Sequence, residues 1–322
     1  MTSKEAVKRT LYFQTPDRYA FDFPEPYGSD FFNTGIDPSP DARPSRGVDD
    51  WGCVWECLGF SQLGEVKDSP LKDWDDFSTL TIPKIHRKDA FKNIRAAKEN
   101  AGDKYILANV ISMYERVHFV RGLENTWCDI IDAPDKLRMF VGLLADMNIE
   151  IINGYKGHGI DGTIFCDDWG LQNRLMISPD SWRAIWKPEY KRVFDAAHKE
   201  GFDVFMHSCG YITDILGDLI EVGLNAIHMD QQDNMGLEEL GNKFRGKLTF
   251  FAPVDIQLMM NLGGDDGIRS YCRKMSENLG TKEGGFIPRW YTDPVSVGHS
   301  KESIKTMCEE FFAISRDIYE HC

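Results

Sequence analysis

From Tyr105 onward the chain repeats one pattern, in which a short apolar run gives way to a turn and then to a longer amphipathic run. Such alternation belongs to parallel strands joined by crossover helices, because parallel neighbours cannot be connected by a tight turn and each helix covers one face of the strands it links. The expected strands are "YILANVI", "GTIFCDD", "DVFMHSC", "NAIHMDQ", "LTFFAPV" and "GFIPRW". Helical periodicity predicts the intervening helices over residues 134–155, 179–199, 212–222, 237–243, 266–279 and 301–319. Ser178 ahead of Pro179 reads as a helix cap, and Gly201 and Gly223 read as stops in a left-handed conformation.

The first hundred residues read differently. A short helix is expected over residues 3–11, then loops and hairpins where Pro, Gly, Asp and aromatic residues crowd together. No Gly-rich dinucleotide fingerprint follows any strand. Six β/α units, with one or two more strands in the N-terminal part, fit an eight-stranded barrel. The expectation is an α/β fold, a (β/α)8 TIM barrel forming one domain over residues 1–322. Within it, residues 1–100 are an N-terminal elaboration and residues 101–322 carry the main barrel repeat.

Composition narrows the function classes. A chain with 42% hydrophobic and 27% charged residues can bury a large core. Its formal net charge of -14, without a basic patch, argues against nucleic acid and against an anionic membrane surface. No run reaches the roughly 18 apolar residues of a membrane span. The eight cysteines are scattered, and the opening "MTSKEAVKRT" has no apolar signal core, so they read as reduced thiols in a cytoplasmic protein.

In a barrel of this kind chemistry collects at the C-terminal ends of the strands. Those ends carry Glu115, Cys166, Asp167, Asp168, His207, Cys209, Asp230, Gln231, Asp255, Trp290 and Tyr291. His207 and Cys209 stand at i and i+2, on one face of a strand, where an imidazole and a thiol can converge on one ion. They read equally as a small buried thiol beside a core histidine. Cys166 and Asp168 have the same spacing, and counting does not settle whether Asp167 or Asp168 faces inward. Glu115 is a further candidate, with Arg116 as a neutralising partner if it is merely structural. The Cys53/Cys57 pair has no second pair nearby and reads as hairpin edge. Trp51, Trp55, Trp169, Trp290 and Tyr291 lie in loops, mostly as packing residues; any that reach the mouth would make a flat apolar pocket for a planar ligand.

The stretch "GIDGTIFCDDWGLQNRLMISPDSWRAIWKPEYKRVFDAAHKEGFDVFMHSCGYITDILGDLIEVGLNAIHMDQ", together with "AVKRTLYFQTPDRYAF" near the start, resembles the uroporphyrinogen decarboxylase superfamily. It is most similar to the branch of zinc-dependent, corrinoid-linked methyltransferases. The resemblance implies a (β/α)8 barrel, Zn2+ held by His207 and Cys209 of the "HSCG" motif, and a third ligand. That third ligand would be a cysteine near the last core strand, but "GGFIPRWYTDPVSVGH" has Trp290 and Tyr291 there. Cys166 is the expected replacement, with Glu115 and Asp168 as alternatives.

The resemblance implies transfer of a methyl group from a small methylated substrate, an aryl methyl ether, to a corrinoid supplied by a partner protein. Asp168, Asp230 and Glu115 would be its acid/base groups, and Trp169, Gln231, Trp290 and Tyr291 would bind substrate. Alternatives are transfer from a methyl-corrinoid to a thiol or folate, a metal-independent decarboxylase, and a tetrapyrrole-binding protein without activity. The decarboxylase branch is disfavoured because its arginine-rich opening motif is missing and an acidic chain is a poor host for a polycarboxylate.

Overall fold

A computed structural model describes residues 1–57 and 64–320. Twelve helices are described: α1 (Ser3–Leu11), α2 (Lys92–Ala101), α3 (Tyr114–Arg121), α4 (Leu123–Asp132), α5 (Pro134–Tyr155), α6 (Pro179–Ile185), α7 (Lys187–Lys199), α8 (Thr213–Glu221), α9 (Leu237–Phe244), α10 (Met259–Leu262), α11 (Gly264–Leu279) and α12 (Lys301–Tyr319). Seven strands form one parallel sheet: β1 (Phe31–Thr34), β5 (Tyr105–Asn109), β6 (Gly162–Cys166), β7 (Asp203–His207), β8 (Ala226–His228), β9 (Thr249–Ala252) and β10 (Phe286–Pro288), neighbours in that order. Three more strands, β2 (Gly47–Val48), β3 (Val54–Cys57) and β4 (Gly64–Asp68), make a small antiparallel sheet in the N-terminal elaboration.

The parallel sheet curls into a barrel. Asp22 bridges Arg289 beside β10 in parallel and Ser29 ahead of β1 in antiparallel fashion, so the segment at Asp22 acts as the eighth stave. Rings meet across the interior as only a closed barrel allows. Phe31 of β1 stacks on Phe251 of β9 at 5.0 Å between centroids and meets Phe205 of β7 edge-on at 6.2 Å. Each of these buried rings contributes about 2–3 kcal/mol of hydrophobic stabilisation.

Helix α1 closes the bottom of the barrel. Its Ala6, Val7 and Leu11 belong to the same apolar cluster as Phe31, Phe205 and Phe251. Polar contacts fix its position: Asp203, buried at the start of β7, accepts from Lys8 Nζ at 2.7 Å, Tyr12 Oη at 2.5 Å and Tyr105 Oη at 2.6 Å. Lys4 pairs with Asp161 at 2.7 Å.

The expected strands are all present, and the expected helices are found with two kinds of difference. The run over 179–199 is two helices meeting at Trp186. Pro188 has no N–H to give and its ring clashes with the carbonyl four residues back, so the helix breaks there. Helices α2, α3, α4 and the single turn α10 lie outside the expected set. In α3 Tyr114, Glu115, Arg116, Val117, Val120 and Arg121 are all buried, so polar and apolar residues alternate without an apolar stripe to read. Ser178 caps α6 as anticipated, accepting from Ser181 N at 3.1 Å, and Gly201 and Gly223 adopt positive φ. No helix among the described residues is long and apolar enough to cross a membrane.

Candidate metal centre at the barrel mouth

The parity that sends Phe205 into the barrel also sends His207, two residues on, to the inner rim at the C-terminal end of β7. Beyond it the chain turns at Gly210, whose φ of +74° an L side chain rarely adopts. A Cβ there would lie 2.4 Å from the Gly170 carbonyl carbon and oxygen, so the loops after β6 and β7 pack glycine against glycine. This brings Asp168 to the HSCG turn, where its Oδ1 accepts from Cys209 N at 2.8 Å.

Three ligand atoms converge here. Cys209 Sγ is 3.4 Å from His207 Nε2, and Asp168 Oδ1 is 3.4 Å from the same nitrogen. Asp168, His207 and Cys209 form one of two metal-capable groups among the described residues. Asp167 points away: its carboxylate accepts from the backbone of Met113, Tyr114 and Glu115 at 2.8–3.0 Å and from Tyr190 Oη at 2.6 Å, capping α3. The structure therefore assigns the inward role to Asp168.

The second group is His207, His228 and Asp230. The Arg289 guanidinium lies 2.8 Å from His228 Nδ1, where a cation would have to sit, so this group is a hydrogen-bond relay. Because Arg289 can only donate, His228 Nδ1 must accept, and His228 Nε2–H must donate to Asp230 Oδ1 at 3.0 Å. His207 Nδ1, 3.0 Å from His228 Nδ1, then carries a proton and donates. With Nδ1–H committed to His228, Nε2 is the nitrogen that faces Cys209 and Asp168, and a metal bound there would take the place of its proton.

Electrostatics agree. Burial pulls His207 down, but the Cys209 and Cys166 thiols and the Asp168 carboxylate outweigh it and hold the imidazole well above its usual range. Burial, Arg289 and His207 hold His228 well below its own. Positive charge is favoured at the His207 Nε2 position and disfavoured one ring away. One nitrogen, one sulfur and one carboxylate oxygen, with the nitrogen's tautomer fixed, fit Zn2+ with an open position better than a hard oxygen-seeking cation.

Two cavities adjoin the centre. The first, about 450 Å³, is lined by His207, His228, Asp230, Arg289, Tyr291 and Cys166 among others. The second, about 460 Å³, includes Asp168, Glu115, His118, Phe119 and Trp55. Arg43 lines both.

Several expectations need correcting. Cys166 lines the first cavity but belongs to neither metal-capable group; Asp168 is the third member of the group with His207 and Cys209. The backbone carbonyl of Cys166 accepts from Arg43 Nη2 at 3.2 Å. Glu115 lies in the first turn of α3, and its partner is Arg43 at 3.0 Å rather than Arg116. Arg116, fully buried, pairs instead with Asp41 at 3.0 Å and Asp49 at 2.8 Å. Trp169 is wholly buried, stacked on Tyr114 at 3.9 Å, and does not reach the mouth. Gln231 accepts from Gly210 N at 3.0 Å and so braces the HSCG turn. Trp290 is half-buried against the main core, while Tyr291 lines the first cavity.

Asp230 stands in the relay, and Asp255 caps its own loop by accepting from Leu258 and Met259 N. Cys53 is buried and donates to the carbonyl of Phe119 at 3.4 Å, leading into β3, which is the central strand of the small sheet rather than its edge. Sequence reasoning missed His228, Arg289 and Arg43. His228 and Asp230 repeat the i, i+2 spacing of His207 and Cys209, a signal that was there to read; Arg43 sits in irregular chain that offers none.

No curated protein matches the chain. Among solved structures, a methyltransferase from Methanosarcina mazei is similar with a TM-score of 0.72 at 15% identity, over 98% of this chain and 99% of that one. A D-psicose 3-epimerase aligns with a TM-score of 0.39 at 11% identity, over 71% of this chain and 82% of that one. The xylanase TsXylA from Thermoanaerobacterium saccharolyticum gives 0.37 at 16%, over 64% and 72%. The uroporphyrinogen decarboxylase (URO-D) family profile matches residues 62–309, and the chain belongs to that family.

Proposed function

We propose that this protein is a zinc-dependent methyltransferase that moves a methyl group from an aryl methyl ether to the corrinoid of a partner protein. The observation that carries the reading is the convergence of His207 Nε2, Cys209 Sγ and Asp168 Oδ1 beside two cavities at the barrel mouth. Likeness of fold to a methyltransferase adds support.

His207, Cys209 and Asp168 would hold the zinc, which supplies Lewis acidity toward the ether oxygen as its bond to the methyl carbon breaks. The chain's own residues prepare that site. The relay through His228 and Asp230 orients His207, Cys209 N anchors Asp168, and the paired glycines hold the two loops in contact. In the overall reaction the C–O bond is lost, the methyl group passes to reduced corrinoid cobalt, and the oxygen leaves as phenolate that takes up a proton.

The test is zinc content of the purified protein, with His207→Ala and Cys209→Ala, alongside methyl transfer from anisole to a reduced corrinoid followed by absorbance. One zinc per chain in the wild type, lost in both variants with methyl transfer, supports the reading. Arg43 and Arg289 in the first cavity would equally orient a carboxylate, so carbon dioxide release by metal-free protein would favour a decarboxylase instead.

A further inference from the structure

A third cavity, of about 390 Å³, lies between α11 and α12. Part of its lining is chain that precedes strands rather than follows them: Arg245 stands ahead of β9, and Gly280, Thr281 and Lys282 stand ahead of β10. The cavity therefore opens toward the N-terminal end of the barrel, opposite the mouth, and none of its lining belongs to either metal-capable group.

Its floor is a phenol. Tyr19 is only 2% exposed, its ring meets Phe286 edge-on at 5.8 Å and Tyr319 edge-on at 5.7 Å, and its backbone N donates to Ser315 Oγ at 2.9 Å. Gly280 keeps the space in front of the hydroxyl clear, because an added Cβ would lie 3.6 Å from Tyr19 Oη and 3.1 Å from the Ser276 carbonyl oxygen. Ser276, beside the phenol, gives its own proton to the Cys272 carbonyl at 3.0 Å, so Tyr19 holds the hydroxyl proton that a guest can accept. Burial pushes Tyr19 up to about 12, and that proton stays on at neutral pH.

Charge around the cavity runs against that of the chain. Arg245, Arg273 and Lys282 line it in a protein of net charge -14. Arg245 Nε donates to the Gly280 carbonyl at 2.6 Å, which fixes the guanidinium beside the cavity, and no carboxylate among the described residues pairs with its two terminal nitrogens. Arg273 is tied to Glu310 at 2.7 Å. Glu277 and Asp317, both exposed, also line the cavity, so a second negative charge on a guest would meet carboxylates there. Ile314 and Ile318 of α12 supply an apolar wall.

A planar guanidinium with two unused nitrogens matches a carboxylate, whose oxygens can accept from a hydroxyl as well. We infer that this cavity is a second ligand site and that it takes a small amphipathic monoanion: a single carboxylate held by Arg245 and the Tyr19 hydroxyl, on an aromatic or aliphatic ring that lies against Ile314 and Ile318. The site stands apart from methyl transfer and does not depend on that reading.

The probe is benzoate, with benzamide as a neutral compound of the same shape, each titrated calorimetrically into the full chain. Wild type binds benzoate about tenfold tighter than benzamide, and rising ionic strength narrows the gap. Tyr19→Phe, which keeps the ring, weakens benzoate binding about tenfold. Arg245→Met abolishes the preference for the anion. Glu277→Gln tightens benzoate about twofold by removing a like charge. The melting temperature rises with benzoate in the wild type more than in Arg245→Met.

Arg43 and Arg289 at the barrel mouth also attract a carboxylate, and the variants tell the two places apart. Benzoate that binds Tyr19→Phe and Arg245→Met as it binds the wild type sits elsewhere and overturns the assignment. Equal affinity for benzoate and benzamide in the wild type, or no binding of benzoate, overturns it too. Should Arg245→Met fail to fold, Tyr19→Phe decides together with Arg245→Lys, which keeps the charge without the two-pronged grip and binds benzoate more weakly than the wild type.

Discussion

Replacing His228 with Phe tests whether the relay sets the metal affinity. Phe preserves the ring's shape but strips three contacts: the acceptor for His207 Nδ1–H at 3.0 Å, the donor to Asp230 at 3.0 Å and the acceptor for Arg289 at 2.8 Å. Without that acceptor the His207 proton can move to Nε2, the nitrogen that must bind metal. Loss of such a supporting partner weakens metal binding about 10- to 100-fold, or roughly 1.4–2.7 kcal/mol. The value of one charge-assisted hydrogen bond, about 1.5–3 kcal/mol, gives the same range independently.

Competition for zinc against a chromophoric chelator reads the affinity directly, and circular dichroism confirms that the variant is folded. His228→Gln should recover most of the loss, because its carbonyl oxygen can accept from His207 while its amide donates to Asp230. A Phe variant that binds zinc within twofold of the wild type would refute the argument that the relay fixes the tautomer.

Three further outcomes follow from the surrounding structure. Arg116→Met leaves Asp49 without its buried counter-ion and Asp41 with only Arg43 at 3.4 Å, and should cost about 3–5 kcal/mol of stability, measured by urea unfolding. Gly210→Ala forces a Cβ to within 2.4 Å of the Gly170 backbone and should lower zinc occupancy while leaving the far end of the barrel folded, which metal analysis with hydrogen exchange would show. Glu115 holds its proton more tightly folded than unfolded, with a folded pKa of about 8 against 4.5. Its contribution is therefore fully present below about pH 4.5 and lost as pH rises through about 8, so thermal stability should fall across that window less steeply in Glu115→Gln.

The barrel was legible because its signal is repeated: each β/α unit restates the same alternation, and an error in one does not disturb the others. Of the helices that escaped, α3 is buried on every side, which erases its stripe, whereas α2 buries only Ile94, Ala97 and Ala101 and α4 only Thr126 and Asp129. That His207 and Cys209 share one face could be read from strand parity, which fits a buried thiol beside a core histidine equally well. The third member of their group could not, because Asp167 and Asp168 differ only in which way the chain leaves β6, and that is decided by the Gly170–Gly210 contact across to another loop. Arg43 was invisible for a related reason. Its role depends on meeting Glu115 and the end of β6 from irregular chain over seventy residues away in sequence. Contacts within one element leave a period in the sequence, and contacts between elements do not.

The stopper under the barrel has a bearing on how the chain is made. The contact from Lys8 to Asp203 spans 195 residues, so α1 leaves the ribosome long before the strand on which it docks. Until then Ala6, Val7 and Leu11 remain uncovered, a greasy handle for chaperones on a nascent chain. A segment made well ahead of its partners thus waits to settle, and its arrival seals the floor beneath the staves.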